Sequence, residues 1–347
     1  MADDTGIRQD APDSKHEDPV AGNAASTRPE PEVGVGSRPA ALVITGATAT
    51  GKTNLAIHVA EAIGGEIISM DSRQVYRGMD IGTAKPTPEQ RARVPHHGLD
   101  LVDPSERYSA GRFSADARRW IAEIRGRGHV PILVGGTGFF LRALTHPLFR
   151  EPELPPDRRR RLQRAFDRLP TDRLLEWLAA NDPESAERLR HGGGRQRISR
   201  ALEVVLLTGR PLPYWHAHAP PVAPPLRLTI FVLELPRAEL FERIDRRVDS
   251  MVAAGLVQEV EHLVARGYGP GDPGMSATGY AELLPFIRGE RTLEDALDDI
   301  RRATRRYARR QETWFRNQLP AGAYRLDARR PVQELTEEIV RVWRTED

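Results

Sequence analysis

The segment Gly46-Ala47-Thr48-Ala49-Thr50-Gly51-Lys52-Thr53 fits the pattern G-x-x-x-x-G-K-[ST]. In such a loop, backbone N–H groups cradle a diphosphate, a compact ammonium reaches its oxygens and a hydroxyl holds Mg2+. The lysine stands out because the chain has only three, Lys15, Lys52 and Lys85, within a Lys+Arg total of 51. A composition so biased toward arginine spares lysine where a planar guanidinium will not serve. Asp71 closes the apolar run Glu66–Met70 and offers a carboxylate that could take up a proton. ATP or GTP hydrolysis would want a further carboxylate at the end of an apolar strand. Val130–Val134 runs instead into Gly135-Gly136-Thr137-Gly138, so these residues favour transfer from a diphosphate over hydrolysis.

Elements of a recognisable kind must place these groups. Ala41–Thr45 is a short apolar run ending at the glycine loop, and Leu55, Val59 and Ile63 then recur every four residues up to Gly64-Gly65. That pattern reads as strand, loop and helix, with the helix N-terminus adding partial positive charge at the cradle. Glu66–Met70 and Val130–Val134 read as buried strands, and Phe113, Trp120, Ile121 and Ile124 mark a helix between them. Strands alternating with helices predict an α/β fold, a P-loop-containing parallel sheet flanked by helices, with its chemistry at the carboxyl edge.

From about Thr145 to Arg195 the chain becomes charged and helix-forming, broken at Glu153-Leu-Pro-Pro156 and Gly192-Gly-Gly194. After the proline-rich stretch 220–225, Leu226–Leu235 reads as a strand, and the remainder as helical through about Asn317. The expected organisation is a disordered acidic tail over 1–38, a P-loop catalytic core over 39–145 and 196–320 with basic C-terminal helices, a helical insertion domain over 146–195, and a C-terminal extension over 321–347.

The formal charge of +2 conceals an acidic first 38 residues at −4 and a remainder at +6. With 39% hydrophobic residues a real core is available, and the absence of cysteine excludes disulfides and thiolate metal sites. No long apolar run or signal pattern is present, so the expected address is cytoplasmic, with no membrane. Arginines cluster at Arg158–Arg161 and at Arg301, Arg302, Arg305, Arg306, Arg309, Arg310 and Arg316. The second set falls at helical spacing, a cationic face suited to nucleic-acid phosphates, with a solvated surface as the other reading. His96 and His97 are adjacent, point apart and lack a third ligand at recognisable spacing, which favours a loop or packing role over metal. Tyr307, Trp314 and Phe315 are expected to pack in the core rather than stack on bases.

Several separated blocks together resemble the tRNA dimethylallyltransferase family (IPP transferases). They are the glycine loop; Asp71-Ser72 with Gln74 and Tyr76; Gly78-Met-Asp-Ile-Gly-Thr-Ala-Lys-Pro86; His96-His97 with Asp103-Pro104; Tyr108-Ser109 with Phe113; Gly135-Gly-Thr-Gly138 with Leu141 and Arg142; Gln196-Arg-Ile-Ser-Arg-Ala-Leu-Glu203; Gly279-Tyr280; and Thr304-Arg-Arg-Tyr-Ala-Arg-Arg-Gln311 with Thr313-Trp314-Phe315-Arg316. Phe140 departs from a common tyrosine, Thr278 from an aliphatic residue, and Gly192–Gly194 from an Asn-Asp-like approach.

The resemblance implies transfer of a dimethylallyl group from dimethylallyl diphosphate to N6 of adenosine 37, in tRNAs that read codons beginning with U, giving i6A and pyrophosphate. It implies that residues 46–53 hold the diphosphate, with Lys52 stabilising the leaving group and Thr53 binding the Mg2+ cofactor. Asp71 accepts the N6 proton and Thr137 helps hold the base. Asp71, Ser72, Arg73, Gln74, Thr137, Arg159, Gln196, Arg197, Ile198, Ser199 and Arg200 are the implied tRNA contacts, around an anticodon loop carrying A36-A37-A38, and a monomer is the default. A P-loop kinase or an adenylate prenyltransferase acting on free nucleotides shares the cradle, and an RNA-binding module without chemistry is a third possibility.

Overall fold

Ala41–Gly46 is buried at every position, which suits only a central strand covered on both faces. A computed structural model describes residues 39–146, 154–192, 194–219 and 223–346. The acidic tail, the start of the insertion at 147–153 and parts of the two joints at Gly193 and 220–222 lie outside the described residues. The first half contributes β1 (Ala41–Gly46), α1 (Lys52–Ile63), β2 (Gly65–Ser69), α2 (Pro88–Arg93), β3 (His96–His97), α3 (Ala110–Gly126), β4 (Val130–Val134) and α4 (Gly138–Thr145). Then come α5 (Pro156–Asp167), α6 (Thr171–Asn181), α7 (Pro183–Arg190), α8 (Arg195–Thr208) and α9 (Leu212–His218). The last part holds β5 (Leu228–Glu234), α10 (Arg237–Ala253), α11 (Leu256–Ala265), α12 (Tyr280–Ile287), α13 (Leu293–Gln318), β6 (Tyr324–Asp327) and α14 (Val332–Glu346).

The six strands are ordered β3-β2-β4-β1-β5-β6 and every pairing is parallel. Helices cover both faces. On one, Phe113, Ala117, Ile124, Leu141 and Phe315 pack on Val43, Ile68 and Leu133. On the other, Leu55, Val59, Leu335, Ile339 and Trp343 pack on Leu42, Ile44 and Phe231. No described helix is long and apolar enough to cross a membrane.

Three features differ from the expected organisation. His96-His97 is a two-residue edge strand in register with Ile67-Ile68, too short to carry a periodic signal. Residues 324–346 belong to the sheet layer itself, β6 pairing with β5 and α14 lying on α1, because Leu335, Ile339 and Trp343 form a buried stripe at four-residue spacing. The insertion has its own core of Phe166, Leu174, Leu178 and Ala186, which is closed by Ile198, Ala201, Leu202 and Val205 of α8. The insertion helices and α8 thus bury their apolar faces in one shared core.

A further cluster joins Val75, Tyr76 and Met79 to α10, α11, α12 and the start of α13. Glu259 of α11 organises its edge by accepting from the amides of Asp80, Ile81 and Gly82 at 2.8–3.2 Å and from the Tyr280 hydroxyl at 2.5 Å. The 26 residues of α13 span about 39 Å at 1.5 Å per residue. Ala296 and Ile300 are anchored in this cluster, and Phe315 in the sheet core. The middle of α13 is thereby held across the carboxyl edge of the strands.

Candidate active site

The turn after β1 is built from backbone that few residues tolerate. Gly46 has φ 138°, and a Cβ there would lie 2.5 Å from the Leu233 carbonyl of β5. Ala49 at φ 63° and Gly51 at φ 93° are left-handed, and the chain then enters α1 with its first amides unsatisfied by any side-chain cap. Thr50 Oγ1 donates to Ala47 O at 2.9 Å and Lys52 Nζ to the same carbonyl at 2.6 Å. The result is a ring of N–H groups at a helix N-terminus with a lysine folded over it, a ready anion site. Residues 46–53 run from the end of β1 through this turn into the first turn of α1.

Asp71 follows β2, and its Oδ1 accepts from the Arg73 amide at 2.8 Å, which fixes the carboxylate. Thr137, after β4, meets the same corner, its Oγ1 accepting from the Ser72 amide at 3.1 Å. The approach is close because Gly135 has no side chain: a Cβ there would lie 2.1 Å from Met70 O. Gln74 is occupied within the fold, accepting from Ser69 Oγ at 2.8 Å and donating to Ala84 O at 3.0 Å. Arg73 reaches away to Pro273 O and Ser276 Oγ, both at 3.1 Å.

Cradle and carboxylate open on one cavity of about 360 Å3, which Lys52, Thr53, Asp71, Gly136, Arg247 and Tyr307 help to line. A smaller chamber of about 100 Å3 adjoins it, sharing Thr48, Asp71, Arg247 and Tyr307 and walled by Ile244, Val248, Met251, Ala277 and Ile300. Sequence reasoning gave Arg247 no role and expected Tyr307 to pack in the core, whereas both line this cavity. The available signal was position: Arg247 lies on α10 between Ile244 and Val248, both buried, so it faces inward with them.

Electrostatics follow from this crowding. Burial and the Arg247 charge push the Lys52 ammonium down to about 7, against the pull of Asp71. Burial likewise depresses Arg247, with Asp71 opposing. Burial and the Asp71 charge push Tyr307 up to about 12, so its hydroxyl stays protonated. Two cations strained by desolvation face one carboxylate, a field that favours a multiply charged anion.

Lys85, the other lysine among the described residues, is a structural hub. Its buried ammonium donates to Tyr76 O at 2.5 Å, Asp80 Oδ1 at 2.6 Å and Asp100 Oδ1 at 2.5 Å, a divergent set suited to three donors on one nitrogen. His97 and His129 both bond the buried Glu66, at 2.7 Å each, together with Arg127. Among the described residues no cluster of three or more metal-ligating side chains occurs. Phe140 is buried and stacks on Phe113 at 4.2 Å, and Trp314 seats against Gly138.

The expected RNA-facing residues separate into two kinds. Gln196 and Arg197 are exposed on the first turn of α8, whereas Ile198 and Ser199 are buried, Ile198 in the insertion core. Arg159 and Arg200 converge on the buried Glu203. On α13, Arg301 pairs with Asp249 and Asp298, Arg302 with Asp299, and Arg305 with Asp245. Arg309 lies over the Phe241 ring and Arg310 over Tyr307. The cationic face is therefore narrower than the arginine count suggests.

Residues 74–318 match the family model for IPP transferase, and residues 39–99 that for isopentenyl transferase. A tRNA dimethylallyltransferase of Syntrophobacter fumaroxidans is 48% identical over 276 residues, 79% of this chain and 80% of that protein. The crystal structure of a tRNA isopentenylpyrophosphate transferase from Bacillus halodurans is 37% identical with a TM-score of 0.63, covering 88% of this chain and 97% of that one. A eukaryotic dimethylallyltransferase, solved acting on tRNA, is 29% identical with a TM-score of 0.68, covering 83% and 73%. On these matches, which span the cradle, the Asp71 corner and the arginine helix alike, the chain belongs to the IPP transferase family of tRNA dimethylallyltransferases.

Proposed function

We propose that the chain, acting as a cytoplasmic monomer, transfers a dimethylallyl group from dimethylallyl diphosphate to N6 of adenosine 37. Its substrates are tRNAs carrying A36-A37-A38 that read codons beginning with U. The observation that carries this reading is the opening of a Lys52-bearing diphosphate cradle and the Asp71 carboxylate onto one cavity. The diphosphate sits on the amides of the loop, and Lys52 and Arg247 neutralise charge growing on its oxygens as the allylic C–O bond breaks. The adenine nitrogen supplies the electron pair for the new N–C bond, and its proton passes to Asp71. Thr137 and Tyr307 offer hydroxyls to hold the base.

The chamber lined by Ile244, Val248, Met251 and Ile300 receives the prenyl chain. Its 100 Å3 matches about four or five carbons, given that roughly 150 Å3 accommodates benzene. Thr278 also lines that chamber. Mg2+ fits the donor chemistry: Thr53 supplies one hard oxygen beside the cavity, and the diphosphate supplies the others. When bound, the ion would neutralise leaving-group charge.

The target adenosine has to leave the anticodon stack, at a cost of a few kcal/mol, and phosphate contacts offset this. Gln196 and Arg197 are proposed to read bases near the target, with Arg159 and Arg200 held ready by Glu203. Unpaired cations of α13 grip the backbone. The test is incubation of the protein, Mg2+ and labelled dimethylallyl diphosphate with an unmodified anticodon stem-loop. Label is expected on A37, and Asp71→Ala is expected to bind both substrates and transfer nothing. Label on free adenine nucleotides with the RNA blank, or undiminished turnover by Asp71→Ala, would overturn the assignment.

A further inference from the structure

Gln311 lies in the middle of α13 and is buried, yet neither of its amide atoms is idle. Oε1 accepts from the Thr48 amide in the cradle at 2.9 Å, and Nε2 donates to Gly136 O in the turn after β4 at 2.8 Å. The carboxamide can satisfy both partners in one orientation only, oxygen toward the N–H and nitrogen toward the carbonyl. It has been given room, because a Cβ on Gly136 would lie 2.3 Å from Nε2. Two segments with separate duties are thereby tied to one rigid helix. The first carries Lys52 and the leaving group's amides; the second carries Thr137, which bonds the Ser72 amide next to Asp71. One cradle amide, that of Thr48, is also diverted from the anion, so the diphosphate must be served by those that follow it.

Resting on the transferase reading, we propose that Gln311 is a positioning residue that sets the gap between the diphosphate cradle and the Asp71–Thr137 corner. The attacking nitrogen and the departing oxygen stand on opposite sides of that gap, so its width governs whether the allylic carbon can pass between them. A displacement of about 1 Å at such a gap costs on the order of a hundredfold in rate. Ground-state binding of either partner depends on its own side alone.

The test measures kcat with dimethylallyl diphosphate, Mg2+ and an anticodon stem-loop, and separately the Kd of Mg-pyrophosphate and of the RNA. Gln311→Met, similar in size without the two bonds, is expected to lower kcat by at least about tenfold while both Kd values stay within about threefold. Gln311→Glu keeps the shape, but its ionised form turns an oxygen toward Gly136 O. Only its protonated form can both accept from Thr48 and donate to Gly136. Its activity is therefore expected to stay below that of wild type, because an ionised carboxylate offers Gly136 O no donor. Phe315→Leu, on the same helix but away from the cavity, is the stability control and is expected to lower Tm with kcat intact. Three results would overturn the inference: wild-type kcat in Gln311→Met, a loss proportional to weakened pyrophosphate binding, or wild-type kcat in Gln311→Glu. A wild type that transfers nothing would instead refute the function on which the inference rests.

Discussion

Raising the pH from about 7 to about 9 is expected to loosen Mg-pyrophosphate by unloading Lys52. The ammonium is held down to about 7 by burial and by Arg247, whereas a diphosphate against it restores the charged form. Binding above that pH therefore takes up a proton, and affinity falls as pH rises. The charged fraction drops from about one half at pH 7 to about one hundredth at pH 9, so the lysine alone costs about fiftyfold in affinity over this span. Isothermal titration calorimetry in buffers of different ionisation enthalpy reads both the affinity and the proton uptake, which rises from about one half toward about one. Lys52→Arg keeps its charge throughout, so the diphosphate's own titration appears in both proteins and their difference isolates the lysine. Arg247→Met removes the neighbouring cation and moves the fall to higher pH. Equal pH slopes in wild type and Lys52→Arg would refute the argument that desolvation and Arg247 set the ammonium's protonation.

Three further outcomes are expected. Gly82→Ala places a Cβ 2.4 Å from the Tyr280 ring, which is fully buried and tied to Glu259, so thermal melting will show a loss of about 1–3 kcal/mol; an unchanged Tm would mean the ring can yield. Lys85→Met leaves Tyr76 O, Asp80 and Asp100 without their shared donor, and urea unfolding will show a loss of about 1–3 kcal/mol that Lys85→Arg does not restore, since a planar fork cannot reproduce the divergent geometry; full recovery with arginine would contradict this. Arg309→Gln will reduce the salt slope of RNA binding by about 0.7–0.9, whereas Arg305→Gln, already neutralised by Asp245, will leave the slope alone; equal effects would mean the ion pair opens on RNA.

Local chemistry was readable along the chain because it depends on neighbours in sequence. The run Ala41–Thr45, the glycine loop and the spacing of Leu55, Val59 and Ile63 define β1, the cradle and α1, and the end of Glu66–Met70 places Asp71 at the carboxyl edge. The pattern of blocks also identified the family. Edge strands were not readable, since β3 has two residues and β6 only four with Leu326 alone buried. Nor was the attachment of α14 or of α8, because a helix's apolar stripe does not say which partner covers it.

Relations between distant residues come from the fold alone. Arg247, Tyr307 and Gln311 reach the cavity from helices more than 170 positions beyond Asp71, and no local periodicity distinguishes them from other inward-facing positions. Lys85 and Lys52 look alike as spared lysines, but one ammonium is enclosed by two carboxylates and a carbonyl while the other stands beside a second cation. The arginine helix is a uniform run of charge in one dimension, and only the fold sets Asp245 and Asp249 against part of it. Charge type and backbone conformation are properties of residues and their neighbours in the chain; pairing, burial and the resulting shifts in protonation are properties of what the fold brings alongside.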